Sequence, residues 1–255
     1  MNNPLVPGQL SGKTALVTGS SRGIGADTVR FLAEAGADVV VTYRNKKPRA
    51  EKIAASLAEL GGRVLVTPLD LTDADSVAAA LATVSAEFGR LDVLVMNASG
   101  GMETGLGEDY AMRLNRDAQI QFLTAVEPLL ADDARVVFVT SHQAHFIHSA
   151  ATMPEYTPVA LSKRAGEDAL RERIPHLAER GIGFTVVSGD MIEGTITATL
   201  LERVNPGAIS ARREEAGRLY TVAEFAAEVA SAAVEPVPAD NTRYVGDVSG
   251  FTTTA

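Results

Sequence analysis

The sequence predicts an α/β fold, a doubly wound, mostly parallel seven-stranded sheet with helices on both faces. It is read as one domain over residues 1–255 with its core at about 11–248. Three observations carry this. Short β-branched runs alternate with segments of helical periodicity along the whole chain. The first of these runs opens into a glycine-rich turn followed at once by a helical pattern. No repeat or linker-like stretch interrupts the alternation, and 255 residues suit one large α/β unit.

Residues 14–18 (TALVT) form an apolar run ending in glycine, a buried first strand, and residues 26–35 follow as a helix that Gly36 stops. Residues 38–43 (DVVVTY) are the second strand. Residues 48–60 are helical, with Ile53, Leu57 and Leu60 on one face, until Gly61-Gly62. The third strand is 63–67 (RVLVT), and the next helix, 73–88, carries a stripe of Val77, Leu81, Val84 and Phe88. Residues 91–96 (LDVLVM) are the fourth strand, 99–107 a glycine-rich loop, 108–130 mostly helix and 135–140 (RVVFVT) the fifth strand. A polar connection, 141–158, holds three histidines and two prolines. A long helix, 159–180, contains Pro175 as a candidate kink. The sixth strand is 183–187. Helical pieces over 195–219 break at Asn205-Pro206-Gly207, Thr221 caps a last helix to 233, and 242–245 (TRYV) is the last strand. Residues 249–255 are expected to be loosely held.

Composition narrows the function classes. The formal net charge of −9 disfavours nucleic-acid and anionic-membrane partners. The absence of cysteine excludes disulfides, thiolate metal sites and cysteine nucleophiles. No apolar run approaches the ~20 residues that span a bilayer, and residues 1–10 lack the basic and apolar regions of a secretory signal. A soluble, cytoplasmic protein acting on a small molecule is expected, with no metal.

Thr18-Gly19-Ser20-Ser21-Arg22-Gly23-Ile24-Gly25 joins the first strand to the first helix. Glycines let the backbone turn sharply and let a pyrophosphate approach the helix N-terminus, where free N–H groups and the helix dipole favour an anion. The strand–turn–helix setting points to a Rossmann-type dinucleotide site rather than a plain tight turn. The glycines run G-x-x-x-G-x-G, not G-x-G-x-x-G. With Thr18 in front, that arrangement resembles the short-chain dehydrogenase/reductase family.

Other residues agree with the resemblance. Asp70, followed by Leu71, matches an aspartate that contacts adenine. Asn97-Ala98, followed by Ser99-Gly100, is similar to the family's Asn-Asn-Ala-Gly, with Met96 and Ser99 departing from it. Asn115 precedes Pro128 by thirteen residues, as the family's active-site asparagine precedes its helix-ending proline. Ser141 closes the fifth strand, where the family keeps its catalytic serine, and Ser162-Lys163 is like the family's Ser-Lys pair. The resemblance implies a nicotinamide dinucleotide held by Gly19, Ser21, Arg22, Gly23, Ile24, Gly25, Asp70, Leu71, Asn97, Lys163 and Thr195. It also implies hydride transfer to or from a carbonyl or alcohol substrate, and a homotetramer or homodimer built on helices 108–130 and 159–180.

The second strand ends in Thr42-Tyr43-Arg44-Asn45-Lys46-Lys47, with no carboxylate before Glu51. A carboxylate there would bind a ribose 2′-OH and repel a 2′-phosphate. Arg44 and Arg22 suit bidentate phosphate contacts instead, which favours NADP(H), although a solvated basic loop has the same composition.

The catalytic centre departs from the family pattern. The resemblance assigns carbonyl polarisation to Ser141, ribose binding and pKa control to Lys163, and a water contact to Asn115. It also requires a tyrosine four residues before the lysine, one helical turn away. That position is Val159, and valine cannot exchange a proton. Ser141 to Val159 is eighteen residues, against about thirteen in the family, so the connection carries extra residues. Three explanations stand. Another group supplies the proton: Tyr156, placed in a turn by Pro158, or His142 or His145. Substrate or water donates it. Or redox activity is lost, and the protein binds a dinucleotide for structure or sensing. A lyase or dehydratase on the same scaffold is a further alternative. His142, His145 and His148 are spaced by three, as metal ligands can be, but with no thiol or interleaved acid they read as hydrogen-bonded or surface loop residues. Tyr156 has packing as its alternative role.

On the substrate side, Met191, Ile192, Leu200, Leu201 and Val204 suggest an apolar lid, and Met102 and Phe146 additional lining for a small or medium carbonyl compound. Glu103, Glu155 and Glu193 are candidates for a cationic substrate group, with solvated loop carboxylates as the plainer alternative.

Overall fold

Strands β1 (Thr14–Val17) and β4 (Leu91–Met96) are buried at every position, as apolar runs without polar alternation require. The computed structural model describes residues 3–103, 105, 107 and 109–252. In it, β2 (Asp38–Tyr43), β3 (Val64–Pro68), β5 (Leu130–Ser141) and β6 (Gly183–Gly189) join β1 and β4. Two two-residue strands follow, β7 (Ile192–Glu193) and β8 (Tyr220–Thr221), then β9 (Thr242–Val245). The seven-stranded sheet runs β3-β2-β1-β4-β5-β6-β9 and is parallel throughout.

Each face of the sheet has its own core. Ala15 and Val17 of β1 pack with Val29 and Leu32 of α1 (Gly23–Glu34) and with Phe225 and Val229 of α11 (Val222–Ala232). Leu16 points the other way, into a core shared by Val84 of α3 (Ala74–Phe88), Phe122 of α5 (Ala118–Val126) and Leu170 of α7 (Thr157–Arg171). Neighbouring residues on opposite faces are the period-two consequence of a pleated strand. Chain order reverses between β1 and β4, so the crevice between their carboxyl ends opens at a topological switch point.

Helix α2 (Lys47–Ala58) has proline in its first turn and ends two residues before the predicted boundary. Predicted helix 108–130 is segmented. It comprises α4 (Tyr110–Met112), a π-helical turn (Arg113–Asp117), α5 and a 3₁₀ turn (Glu127–Leu129); its first residue, 108, lies outside the described residues. Predicted helix 159–180 is a correction. It begins at Thr157 and stops at Arg171, and α8 (Ile174–Ala178) restarts with Pro175 in its first turn, so the proline opens a helix instead of kinking one. The polar connection contains α6 (His142–His145), capped by the Ser141 side chain.

The β7–β8 pair escaped prediction because strands of two residues carry no periodicity. Helices α9 (Ile196–Val204) and α10 (Ala208–Ala216) are divided where predicted, with Gly207 at φ +93°. Thr221 and Glu224 form a reciprocal capping box at the start of α11. Residues Ser249–Thr252 form α12, which docks Phe251 edge-on to His142 at 5.5 Å; residues 253–255 lie outside the described residues. Among the described residues, no helix is long and apolar enough to cross a membrane.

Candidate active site

Threonine and serine hydroxyls lock the glycine turn to its neighbours. Thr18 Oγ1 accepts from the backbone N–H groups of Asn97 and Ala98, each at 2.9 Å, and Asn97 Nδ2 donates to the Thr18 carbonyl. Thr42 Oγ1 accepts from Gly19 N–H at 2.9 Å, and Ser20 Oγ accepts from Thr42 N–H at 2.8 Å. The ends of β1, β2 and β4 are thereby held in one piece. Gly19 (φ +68°) and Gly23 (φ +55°) occupy the left-handed region that favours glycine. A Cβ on Gly25 would lie 2.6 Å from Asn97 Nδ2 and 2.7 Å from the Gly19 carbonyl oxygen.

Helix α1 opens with no side-chain cap and no acidic residue in its first turn, so its leading N–H groups remain for an anion. A cleft of about 440 Å³ runs over this turn. Gly19, Ser21, Arg22, Gly23, Ile24, Arg44, Asp70, Leu71, Asn97 and Thr195 all line it, while Gly25 forms the close packing beneath. These features fit a dinucleotide: a cradle that a Cβ would fill, an uncapped helix end and two flanking guanidinium groups. Tyr110, not singled out from the sequence, also lines the cleft, and its hydroxyl accepts from Arg44. That bond, more than the neighbouring charges, holds the Arg44 guanidinium above its ordinary pKa. Asp70 Oδ1 accepts from Thr72 N–H and Oγ1, which orients its carboxylate at the rim.

An inner pocket of about 140 Å³ adjoins the cleft, and Ser141, Tyr156, Lys163, Asn97 and Thr195 line it. Ser141 Oγ lies 3.3 Å from the Tyr156 hydroxyl and accepts from Ala144 N–H at 3.3 Å. Tyr156 is 4% exposed and Lys163 8% exposed. Among the described residues, the Lys163 ammonium makes no hydrogen bond to protein. Thr140, whose Oγ1 is buried without a hydrogen-bond partner, also lines this pocket.

The family model for short chain dehydrogenases matches residues 13–205. A short chain dehydrogenase/reductase of Aspergillus novofumigatus is 30% identical over 77% of this chain and 74% of its own. A hydroxynaphthalene reductase-like protein of Metarhizium majus is 32% identical over 71% of this chain and 69% of its own. The chain belongs to the short-chain dehydrogenase/reductase family. Among solved structures, a short-chain dehydrogenase of Burkholderia cenocepacia in complex with NADP superposes with a TM-score of 0.78 at 28% identity, covering 94% of this chain and 98% of that one. An angucycline C-6 ketoreductase with bound NADP gives 0.76 at 27% identity, covering 97% and 98%.

Val159 sits one turn before Lys163, 5% exposed, in a small apolar cluster with Ala144, Tyr156, Ala160 and Leu201. Tyr156 is the N-cap residue of α7, and its own hydroxyl reaches Ser141. Asn115 lies in the π-helical turn. Its amide is taken up by the Gly100 carbonyl (2.8 Å), Gly100 N–H (3.2 Å) and Ser162 Oγ (2.9 Å).

The structure removes the histidines from the pocket, a correction to their candidacy as proton donors. His142 is fully buried and bonded to Ser188 Oγ at 2.8 Å. His145 is held between Glu167 (2.8 Å) and the Tyr244 hydroxyl (3.1 Å), and His148 is exposed. Neither His142 nor His145 lines either cavity. Among the described residues, no three His, Asp or Glu side chains cluster so as to hold a metal ion. Phe146 is a second correction: it stacks on Tyr244 and Phe251, away from the pocket. Val204 is exposed, whereas Met191, Ile192 and Leu201 line the inner pocket and Met102 and Leu200 the cleft. Glu193 pairs with Arg213, and Glu103 accepts from Gly101 N–H.

Burial pushes His142 down to about 4, with the nearby His145 and Arg212 adding to the shift. The folded state therefore excludes a proton that the unfolded chain binds at about 6.5. Stability from this group is complete above pH 6.5 and is lost as pH falls toward 4. Denaturant unfolding at pH 7 and pH 4.5 is expected to differ by about 2 kcal/mol more in the native protein than in His142→Asn. Equal pH dependence in the two would place the imidazole in contact with water.

Proposed function

We propose that this protein is an NADP(H)-dependent carbonyl reductase whose proton donor is Tyr156, with the reverse alcohol oxidation running through the same groups. The observation that carries the reading is the 3.3 Å approach of the Tyr156 hydroxyl to Ser141 Oγ in a pocket that Lys163 also lines. The turn at residues 19–25 would hold the pyrophosphate, Arg22 and Arg44 the 2′-phosphate, Asp70 and Leu71 the adenine end, and Asn97, Lys163 and Thr195 the nicotinamide end. When bound, the nicotinamide supplies or receives the hydride at the carbonyl carbon.

The chain's own residues do the rest. Ala144 N–H occupies one lone pair of Ser141 Oγ and orients that hydroxyl, leaving its proton for the substrate oxygen. Tyr156 O–H transfers its proton to the oxygen as alkoxide character develops. Lys163 lines the same pocket and would hold the nicotinamide ribose beside these two hydroxyls. Met191, Ile192, Leu201 and Phe225 keep the pocket mostly apolar. Asn115 supports the site as a latch, tying α7 at Ser162 to the loop at Gly100.

NADP(H) preference is supported by two guanidinium groups in the cleft and no carboxylate at the end of β2. Arg22→Ala and Arg44→Ala are each expected to weaken NADPH binding about 10- to 100-fold with much less effect on NADH, the scale of a lost charge-assisted hydrogen bond. Titration of both nucleotides measures this, and equal losses for NADPH and NADH would take the 2′-phosphate out of the reading. The names of the similar proteins, reductases of hydroxynaphthalene and angucycline type, support cyclic ketones as first substrates. Oxidation of NADPH over a panel of such ketones tests the activity. The alternative, a dinucleotide-binding protein without redox activity, is favoured by Val159 alone, and tight NADPH binding with no turnover would select it.

A further inference from the structure

The connection between Ser141 and α7 holds a second pocket side chain besides Tyr156. Gln143 sits two residues after Ser141 and lines the same inner pocket. Its Oε1 accepts from Thr152 Oγ1 at 2.5 Å and from Met153 N–H at 3.1 Å. A backbone N–H can only donate, so the amide atom it meets is the oxygen, and the orientation of the group follows. The NH₂ end is therefore the free one: among the described residues it makes no hydrogen bond. Asp190, on the same pocket, is not available to a ligand, because its oxygens accept from Arg212 (2.9 Å) and Met191 N–H (2.7 Å).

We propose that the Gln143 amide NH₂ is a substrate anchor that selects carbonyl compounds carrying a second hydrogen-bond acceptor, a further carbonyl, ether or hydroxyl oxygen, besides the carbonyl that reacts. The proposal rests on the reductase reading of this pocket and deepens it. A neutral ketone needs one oxygen placed between Ser141 and Tyr156. An amide donor fixed by its own oxygen end, on a wall that is otherwise largely apolar, adds a second point of attachment and so sets which face of the substrate is presented. The tie to Thr152 and Met153 keeps the donor pre-oriented, so little side-chain entropy opposes binding. A substrate that covers that NH₂ without offering it an acceptor leaves it unpaired, which is the stronger source of discrimination.

Cyclohexanone, cyclohexane-1,2-dione and cyclohexane-1,4-dione serve as probes, with kcat/KM for each measured on the native protein, Gln143→Leu and Gln143→Glu. The ratio of dione to ketone, compared between proteins, cancels the intrinsic reactivity of the probes. It is expected to fall about tenfold in Gln143→Leu for at least one dione, the scale of one hydrogen bond. In Gln143→Glu the acceptor end can still receive Thr152 and Met153 while the donor becomes an acceptor. There the ratio should fall further, and 4-hydroxycyclohexanone, whose hydroxyl can donate, should gain relative to the diones. Ratios identical in all three proteins would overturn the anchor while leaving the reductase reading intact. If no ketone is turned over, the reductase reading fails, and the anchor is read by ligand-observed NMR binding of the same probes to the NADP⁺-loaded protein. A dione preference that disappears in Gln143→Leu supports it there, and no preference overturns it.

Discussion

Tyr156→Phe is expected to lower kcat/KM for ketone reduction by roughly 10²- to 10⁴-fold, the range for removing a positioned general acid, while NADPH binding is largely retained. The substitution deletes one oxygen. The ring stays packed against Val159, Ala144 and Leu201, so folding and the shape of the pocket wall are preserved. What disappears is the hydroxyl 3.3 Å from Ser141 Oγ. Ser141→Ala should cause a loss of similar order, and the double variant should be little worse than either single one, because the two hydroxyls act on the same substrate oxygen. Tyr156→Phe combined with Val159→Tyr should recover part of the lost rate, since a phenol one turn before Lys163 approaches the same region from the helix face. Full activity in Tyr156→Phe would move the proton source to water or substrate.

Gly166→Ala is expected to destabilise the fold by about 3 kcal/mol or more, read as a drop in Tm of roughly 6–12 °C. A Cβ at Gly166 would stand 1.9 Å from the Asn115 carbonyl oxygen and 3.0 Å from its carbon. Both are backbone atoms, so no rotamer change can relieve the clash. Helix α7 would have to move off the π-helical turn, breaking the bond from Asn115 Nδ2 to Ser162 Oγ on the way. Because α7 also carries Lys163 and is entered through Tyr156, activity should fall with stability. A melting temperature close to that of the native protein would mean that the two helices are farther apart in solution than their glycine contact requires.

The Tyr156–Ser141 approach and this helix contact differ in how far the sequence announced them. The glycine turn was legible, because Gly19, Gly23 and Gly25 stand between a β-branched run and a helical pattern and each is needed for a backbone reason local to the turn. The element order was legible for the same reason, since periodicity is a property of neighbouring residues. The break of helix 159–180 at Arg171 was not, because Pro175 is compatible with a kink or with a new first turn until packing selects one. Tyr110 was missed because it follows a glycine-rich loop and meets Arg44 across 66 residues of chain.

The sequence by itself therefore determined the sheet, its winding and the dinucleotide turn, all of which follow from hydrophobic periodicity and local backbone demands. It also showed that position 159 has no phenol. Which side chain faces Ser141 was a question about three-dimensional distance across a connection of irregular length. Tyr156 was the leading candidate as the nearest phenol, with His142 and His145 as further candidates along the chain. Only the tertiary structure separated them, by packing α6 so that both imidazoles face Ser188, Glu167 and Tyr244, while Pro158 and the start of α7 leave the phenol beside Ser141.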